Sequence, residues 1–184
     1  MDKKEYIREV TTALIEENDG DVEKVTARMI AERAGVGLGL INYHFGSKEN
    51  LITECVQRII GKVVANFRGE PSFSTDRECL TAWATEVFHF LFAHPAICRI
   101  SILGDFQHYT GECNSVCTQR GFLHALKGEH DEKALRVFAL TAAIQAAFLG
   151  GETAGRLLGY DFSRAEDRGA YIQKTIKLLF PGEE

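Results

Sequence analysis

The sequence predicts an all-α protein, and three observations support this. Apolar residues recur at helical spacing; in the first segment they are Tyr6, Ile7, Val10, Ala13 and Leu14. Strand-like alternation is nearly absent. The chain has three prolines, Pro71, Pro95 and Pro181, and the first seventy residues contain none. With 184 residues, 45% of them hydrophobic, the chain is long enough for two small helical domains.

Glycine and small polar residues mark where the predicted helices begin and end. Gly20 ends the first helix, Thr26 caps the second, and Gly35 separates the second from the third. Gly46 and Ser47 separate the third from a longer helix that runs to about residue 68, and 69–76 is the one clear linker. The predicted helices lie at about 3–18, 27–34, 37–45, 47–68, 76–93, 95–109, 114–127, 131–157 and 164–180.

Composition limits the classes of protein that fit. The net charge is −5, and the first fifty residues hold seven basic and ten acidic residues, so bulk charge does not favour nucleic acid. Five scattered cysteines, an odd number, indicate reduced thiols and not a disulfide framework. We expect no membrane span, because no apolar run approaches about 18 residues. The charged start is unlike a secretory signal, so a cytoplasmic location is expected.

Residues 26–51 have the pattern of a helix-turn-helix. Gly35 suits a tight turn, and the small Ala31 and Ala34 allow the next helix to approach closely. Ile41 and Phe45 share one face of that helix at i, i+4 spacing, and we expect them, with Val36, to fill the space between helices. Leu38 and Asn42 share another face, which would point outward. A recognition helix requires this division into a core face and a groove face.

This segment resembles the TetR family of regulators. The matching residues are Thr26-Ala27-Arg28-Met29-Ile30-Ala31-Glu32-Arg33-Ala34-Gly35-Val36 and Ile41-Asn42-Tyr43-His44-Phe45-Gly46-Ser47-Lys48-Glu49-Asn50-Leu51. The resemblance covers about 50 residues. It implies a three-helix DNA-binding domain at 1–48 and a larger helical bundle at 49–184 that binds an effector and dimerises. The implied function is a transcription regulator, most often a repressor that a small molecule releases from its operator.

The resemblance also implies which residues contact DNA. The predicted set is Thr26, Arg28, Gly37, Leu38, Leu40, Asn42, Tyr43, His44 and Lys48, with Thr26, Tyr43, His44 and Lys48 on phosphates and Gly37, Leu38 and Asn42 facing bases. The physics of the residues agrees. Helix starts at Thr26 and Ser47 offer free N–H groups to phosphate, and a lysine in a first helical turn is favourable only when it faces an anion. Tyr43 and His44 carry polar tips on apolar bodies, able to anchor in the core and touch the DNA backbone.

The segment departs from the family pattern at the start of its recognition helix. Gly37 stands where Ser or Thr often caps that helix, and Asn42 replaces a common aromatic residue. Leu38 and Leu40 are apolar where polar side chains are frequent. These departures leave the operator sequence unpredictable.

Residues 76–184 carry no catalytic signature, so the sequence predicts neither an enzyme nor a cofactor. Aromatic residues concentrate in its first part, interleaved with histidines. They predict a helical-bundle core together with an apolar ligand pocket of the kind that small molecules occupy. The candidate pocket residues are Trp83, Phe88, Phe92, Phe106, Tyr109 and Phe122.

The segment 134–149 is apolar nearly all round, so we expect it to be buried on most sides. The last helix places Tyr171, Ile172, Thr175, Ile176 and Leu179 on one stripe. An internal bundle would explain both helices, and so would a two-fold, four-helix interface between subunits. The family dimerises there, which predicts a homodimer through 131–157 and 164–180.

Two alternatives remain open at the level of sequence. Cys113 and Cys117 are one helical turn apart, with His108 and His124 nearby in sequence, which would suit a helical metal-binding protein or enzyme. The acidic balance of residues 1–50 would suit an interaction module whose helix-turn-helix no longer binds DNA.

Overall fold

Helices form all the regular structure in the described part of the chain. The computed structural model describes residues 2–66, 75–126 and 130–181. Within these ranges there are nine α-helices, no strand and one short 3-10 turn at Val22–Lys24. The helices are α1 (Lys3–Glu17), α2 (Ala27–Ala34), α3 (Leu38–Phe45), α4 (Lys48–Asn66), α5 (Asp76–Ala93), α6 (Pro95–Gln107), α7 (Asn114–His124), α8 (His130–Leu158) and α9 (Ala165–Leu179). The prediction of an all-α fold is confirmed.

The predicted helix boundaries differ from the observed ones mainly at carboxyl ends. Helix α6 ends at Gln107, two residues early, where the His108 N–H donates to the Gly104 carbonyl at 3.1 Å. Helix α7 ends at His124, and a turn follows through Leu126. The predicted end of α4 at residue 68 lies outside the described residues, and so does the linker at 69–76 apart from its last two residues.

The chain packs as two compact units, and each unit is built from two separate segments of the sequence. The first unit contains residues 1–63 and 94–109, and the second contains 64–93 and 110–184. Helix α6 therefore belongs with the amino-terminal helices, although α5 precedes it in the second unit. The boundary predicted between residues 48 and 49 concerns a division of function and stays a prediction.

The first unit has an aliphatic core. Helix α1 packs on α2 and α2 packs on α3. The buried side chains of this unit include Ile7, Leu14, Ile15, Ile30, Ile41, Phe45 and, from α4, Leu51. A polar network joins α4 to α6: the Gln57 side-chain amide donates to the Asp105 carboxylate at 3.0 Å and accepts from the Ser101 hydroxyl at 3.0 Å. Ser101 and Asp105 are buried, so this network fixes the register between the two helices.

The second unit has an aromatic core. Helix α9 packs on α5 and α8, and α7 packs on α8. The Phe88 ring lies 5.1 Å from Phe92, 5.3 Å from Phe162 and 5.4 Å from Tyr171, measured between centroids. The Tyr171 hydroxyl donates to the Ala143 carbonyl of α8 at 3.1 Å, which satisfies the one polar atom that this side chain brings into the core.

Among the described residues, α8 contains the one single helix segment that is both long and apolar enough for a membrane span. By length and composition alone, Glu132–Leu158 could cross a membrane. The expectation that no apolar segment approaches about 18 residues is therefore wrong for this helix. Core helices of soluble proteins meet the same criterion, and one face of α8, including Leu140 and Ile144, is buried in the second unit. Its regular geometry breaks at Gly151, where φ is 51° and ψ is −129°.

The opposite face of α8 corrects a second expectation. Burial on most sides was predicted for 134–149, yet Leu135 is 71% exposed and Phe138 is 50% exposed. Leu178 of α9 is exposed as well. The described residues thus cover only part of the apolar surface of these two helices.

Candidate nucleic-acid interface

Helices α2 and α3 form the turn that the glycine pattern predicted. The Thr26 hydroxyl accepts from the Met29 N–H at 3.2 Å and so caps the start of α2. Gly35 ends α2 in the left-handed region, with φ 63° and ψ 36°, a conformation that costs other residues strain. The Val36 N–H then donates to the Ala31 carbonyl at 3.0 Å, which closes the helix end and directs the chain into α3.

The two faces of α3 separate as the spacing predicted. Ile41 and Phe45 are buried, with 1% and 6% of their surface exposed. Leu38 is 52% exposed, and Asn42, one turn later, is exposed too. An exposed leucine followed one turn later by an exposed amide gives this face one apolar group and one side chain that both donates and accepts hydrogen bonds.

Tyr43 and His44 lie differently from the expectation that both anchor in the core. Tyr43 is 81% exposed, so its ring does not pack into the unit. It meets the half-buried His44 ring edge-on at 5.1 Å, and His44 in turn contacts Phe45 at 6.1 Å. The reason lies in the helical period: positions 41 and 45 occupy the core face, which turns position 43 away from it.

Asn50, which was not among the predicted site residues, holds the junction between α3 and α4. The Ser47 hydroxyl accepts from the Asn50 N–H at 3.1 Å and so caps the start of α4. The Asn50 side-chain amide donates to the Phe45 carbonyl at 3.1 Å, across the bend at Gly46. Asn50 therefore joins the end of α3 to the start of α4. Its position three residues after a serine cap was the available signal.

Two lysines lie near this junction. Lys48, in the first turn of α4, has its side chain 31% exposed and its Nζ 3.7 Å from the Glu49 carboxylate. Lys4 places its Nζ 5.3 Å from the centre of the Phe45 ring, at the end of α3. Lys4 was not among the predicted contacts, because nothing in the sequence shows that α1 begins beside the end of α3.

The arginines around α2 are engaged by carboxylates. Arg28 Nε lies 2.9 Å from Glu32, one turn along the same helix. Arg33 makes two hydrogen bonds to Glu17 of α1, both at 3.0 Å. These bonds hold the pKa of Glu17 below its ordinary value and raise the pKa of Arg33. Some of the excess acidic residues in residues 1–50 therefore form ion pairs with basic residues of the same segment.

The six candidate pocket residues do not share one site. Phe88 and Phe122 are buried in the second unit, where Trp83 is half-buried, whereas Phe106 and Tyr109 are exposed in the first unit. Phe92 lines a cleft of about 560 Å³ in the second unit. Its other lining residues are Glu152, Arg156, Tyr160, Asp161, Phe162 and Ser163. Hydrogen bonds from the backbone N–H and hydroxyl of Ser163 hold the Asp161 carboxylate in place and lower its pKa.

The alternative metal site is divided as well. His108 belongs to the first unit, while Cys113, Cys117 and His124 belong to the second. Over the described ranges, no three His, Cys, Asp or Glu side chains come together in a way that could hold a metal ion.

Comparison with known proteins agrees with the geometry. Residues 7–55 match the family described as bacterial regulatory proteins, tetR family. The whole fold is similar to a TetR transcriptional regulator from Rhodococcus sp. RHA1, with a TM-score of 0.59, 15% identity, and 99% of this chain and 97% of the other covered. It is also similar to a proposed transcriptional regulator from Streptomyces coelicolor A3(2), with a TM-score of 0.57, 23% identity, and 97% and 98% covered. No curated protein matches the chain.

Proposed function

We propose that this chain binds operator DNA as a homodimer and leaves it when a small-molecule effector binds. Two findings support this: residues 7–55 match the tetR family of bacterial regulatory proteins, and the all-helical fold is similar to that of a TetR transcriptional regulator. One observation carries the DNA-binding part. Helix α3 buries Ile41 and Phe45 and presents Leu38 and Asn42 to solvent, from a frame whose preceding and following helices are both capped. That arrangement suits a helix that enters the major groove.

The proposed contacts are those that the family resemblance implies. Gly37, Leu38, Leu40 and Asn42 would face base edges, and Asn42 could make a bidentate pair with adenine. The phosphate contacts would be Thr26, Arg28, Tyr43, His44 and Lys48. The exposure of Tyr43 supports its inclusion, since a phenol that extends into solvent can reach the DNA backbone without any change in the core.

The dimer would form through the exposed faces of α8 and α9. Leu135, Phe138 and Leu178 leave large apolar surfaces uncovered on these two helices. Such patches on a folded unit mark interaction sites, and a self-complementary patch produces a two-fold dimer. Two recognition helices in one dimer would read two half-sites, which a monomer could not do.

The effector would bind in the second unit. The cleft beside Phe92 combines aromatic side chains with charged residues at Glu152, Arg156 and Asp161, which suits a ligand that carries a polar or charged group beside an apolar part. Effector binding there would weaken DNA binding only by the factor by which the effector prefers the DNA-free protein over the DNA-bound protein. We propose a regulator without catalytic activity that acts in the cytoplasm.

A mobility-shift titration against the DNA upstream of the gene for this chain tests the proposal. We expect a discrete complex that survives competition by excess random duplex. The competing candidate is an interaction module, which the pairing of Arg28 with Glu32 and of Arg33 with Glu17 favours, because those bases are already engaged. A failure to shift any upstream fragment at low salt would support that candidate instead.

A further inference from the structure

The five thiols of the chain divide into two groups. Cys55, Cys79 and Cys98 are buried. Burial raises the pKa of Cys55 to about 11 and that of Cys98 to about 12, and it raises the pKa of Cys79 as well. These thiols are protected from reagents and hold their protons tightly. Cys113 and Cys117 are both partly exposed, at the start of α7 in the second unit.

Backbone geometry brings these two residues together. Cys113 is the residue that caps α7, in extended conformation at φ −69° and ψ 155°. The Cys117 N–H donates to the Cys113 carbonyl at 3.0 Å, so the two residues are one helical turn apart. The Cys117 Sγ lies 3.8 Å from the carbonyl oxygen of Glu112, in the peptide unit that leads into Cys113. The Cys117 thiol therefore leans back toward Cys113, as side chains in helices do.

The first turn of α7, which lies between the two cysteines, is held in place by buried residues. Asn114 and Ser115, which lie between them, are buried. The Ser115 hydroxyl accepts from the side-chain amide of Gln145 on α8 at 2.7 Å, inside the second unit. The first turn of α7 is thus anchored to the neighbouring helix, and the two partly exposed thiols lie at the edge of that anchored turn.

The spacing favours a bridging atom over a direct disulfide. Residues one helical turn apart have Cβ atoms about 5–6 Å apart, whereas a disulfide requires about 3.5–4.5 Å. A direct S–S bond would therefore unwind the turn that Ser115 anchors. Two metal–sulfur bonds of about 2.3 Å each allow the sulfurs to stay about 4 Å apart, which an intact helix permits.

We propose that Cys113 and Cys117 form a dithiol site for a soft, thiophilic centre that completes its bonding with two thiolates, of the class of a mono-organic trivalent arsenical. Thiolates select soft centres. Among the described residues no third ligand joins the pair, which fits two-thiolate capture better than four-coordinate zinc. The site is independent of DNA binding, so its test stands whether or not the proposed function is correct.

The capture reaction balances without an oxidant. Phenylarsine oxide reacts with both thiols, two As–S bonds form, and the arsenic–oxygen bond breaks. The oxygen takes both thiol protons and leaves as water, and arsenic stays trivalent. The protein gains one phenylarsenic bridge and loses two hydrogens.

Intact-mass measurement of the folded chain with phenylarsine oxide tests the site, in the presence of excess glutathione to reverse attachment at single thiols. We expect one bridge per wild-type chain, and its loss when a dithiol competitor is added. Cys113→Ser and Cys117→Ser should each abolish the adduct, while the matched control Cys79→Ser should keep it. Circular dichroism confirms that each variant is folded.

Two results would overturn the proposal. One is an adduct that persists in Cys113→Ser or Cys117→Ser at the wild-type level, because the bridge would then use other thiols. The other is a folded wild-type chain that takes up no phenylarsine oxide while the urea-unfolded chain does, because the two sulfurs would then be unable to share an atom within the fold.

Discussion

Replacing Lys48 and replacing Asn42 by alanine should change DNA binding in different ways. Lys48 lies in the first turn of α4, where it can neutralise one phosphate, so Lys48→Ala should weaken binding to operator and random DNA alike and lower the salt slope by about 1. Asn42 is exposed on the outward face of α3. Asn42→Ala should remove about 1–3 kcal/mol of discrimination at one position of each half-site and leave the salt slope unchanged.

Binding titrations against operator and random duplex at several salt concentrations separate the two effects. Lys24→Ala is the matched control, because Lys24 is exposed on the same unit but pairs with Asp21 at 3.0 Å, in the turn before α2. It should behave as wild type. If Lys48→Ala and Asn42→Ala both keep wild-type affinity and selectivity, α3 is not the recognition helix.

Two glycines near the turn should respond to alanine with opposite sign. A methyl group at Gly35 or at Gly39 would meet no atom within 4 Å, so packing does not distinguish them. Gly35 has φ 63°, so Gly35→Ala should lower the free energy of unfolding by roughly 1–2 kcal/mol. Gly39 lies inside α3, so Gly39→Ala should raise it by about 0.5–1 kcal/mol.

Urea unfolding at neutral pH measures both glycine variants. Equal effects in the same direction would mean that backbone conformation does not govern the turn. Gly39→Ala also serves a second purpose: a variant that is more stable yet binds DNA more weakly would show that the DNA backbone or a base approaches that position closely.

Residue-level chemistry was predictable from sequence where it is local. Thr26 and Ser47 cap helices through groups three residues away, and Gly35 takes the conformation that its turn requires, so neighbouring sequence sufficed. Asn50 and Lys4 were missed because their partner is the end of α3: Asn50 crosses the bend at Gly46, and Lys4 reaches it from another helix. Such contacts depend on how helices pack, which spacing alone does not give.

At the scale of elements, the α1–α2 contact should depend on pH through Glu17. Its two hydrogen bonds from Arg33 lower its pKa from the ordinary 4.5, so folding favours the ionised carboxylate. The stabilisation is therefore fully present above the ordinary pKa and is lost as the pH falls through the lowered one. Glu17→Gln should reduce the free energy of unfolding at neutral pH, and the difference from wild type should shrink toward zero in acid.

Urea unfolding at neutral pH and at about pH 3 checks this, with Glu16→Gln as the control on the exposed neighbour. The control should match wild type at both pH values. A Glu17→Gln difference that is the same in acid as at neutral pH would show that ionisation of Glu17 plays no part.

Helix order and type were predictable from sequence because strand-like alternation is nearly absent and because glycine and small polar residues mark where the helices begin and end. The assignment of α6 to the first unit was not, since no local signal shows which core a helix joins. Neither was the exposure of Leu135 and Phe138, because an apolar run gives no indication whether its own chain or a second copy covers it. The break at Gly151 was also missed, since one of two adjacent glycines in a long helix does not by itself predict a positive φ.

At the scale of the whole molecule, a charge on the apolar face of α8 should separate the subunits. Leu135→Glu would place an unpaired carboxylate in the proposed interface, at a cost of about 3–5 kcal/mol for each buried charge. Light scattering at micromolar concentration should find a wild-type dimer and a Leu135→Glu monomer. Gln173→Glu, at an exposed polar position of α9, is the control and should stay dimeric. A wild-type monomer would contradict the dimer proposal.

The central claim is that the outward face of α3 reads DNA sequence in a two-fold dimer. Selection from a random duplex library by wild type and by the Leu38→Ala/Asn42→Ala double variant tests it most directly. The wild-type chain should enrich a palindromic motif with half-sites spaced by about one helical turn of DNA, 34–36 Å, or a multiple of it. The double variant should lose that motif while it stays folded and dimeric. Failure of the wild type to enrich any motif, or enrichment of the same motif by the double variant, would contradict the claim.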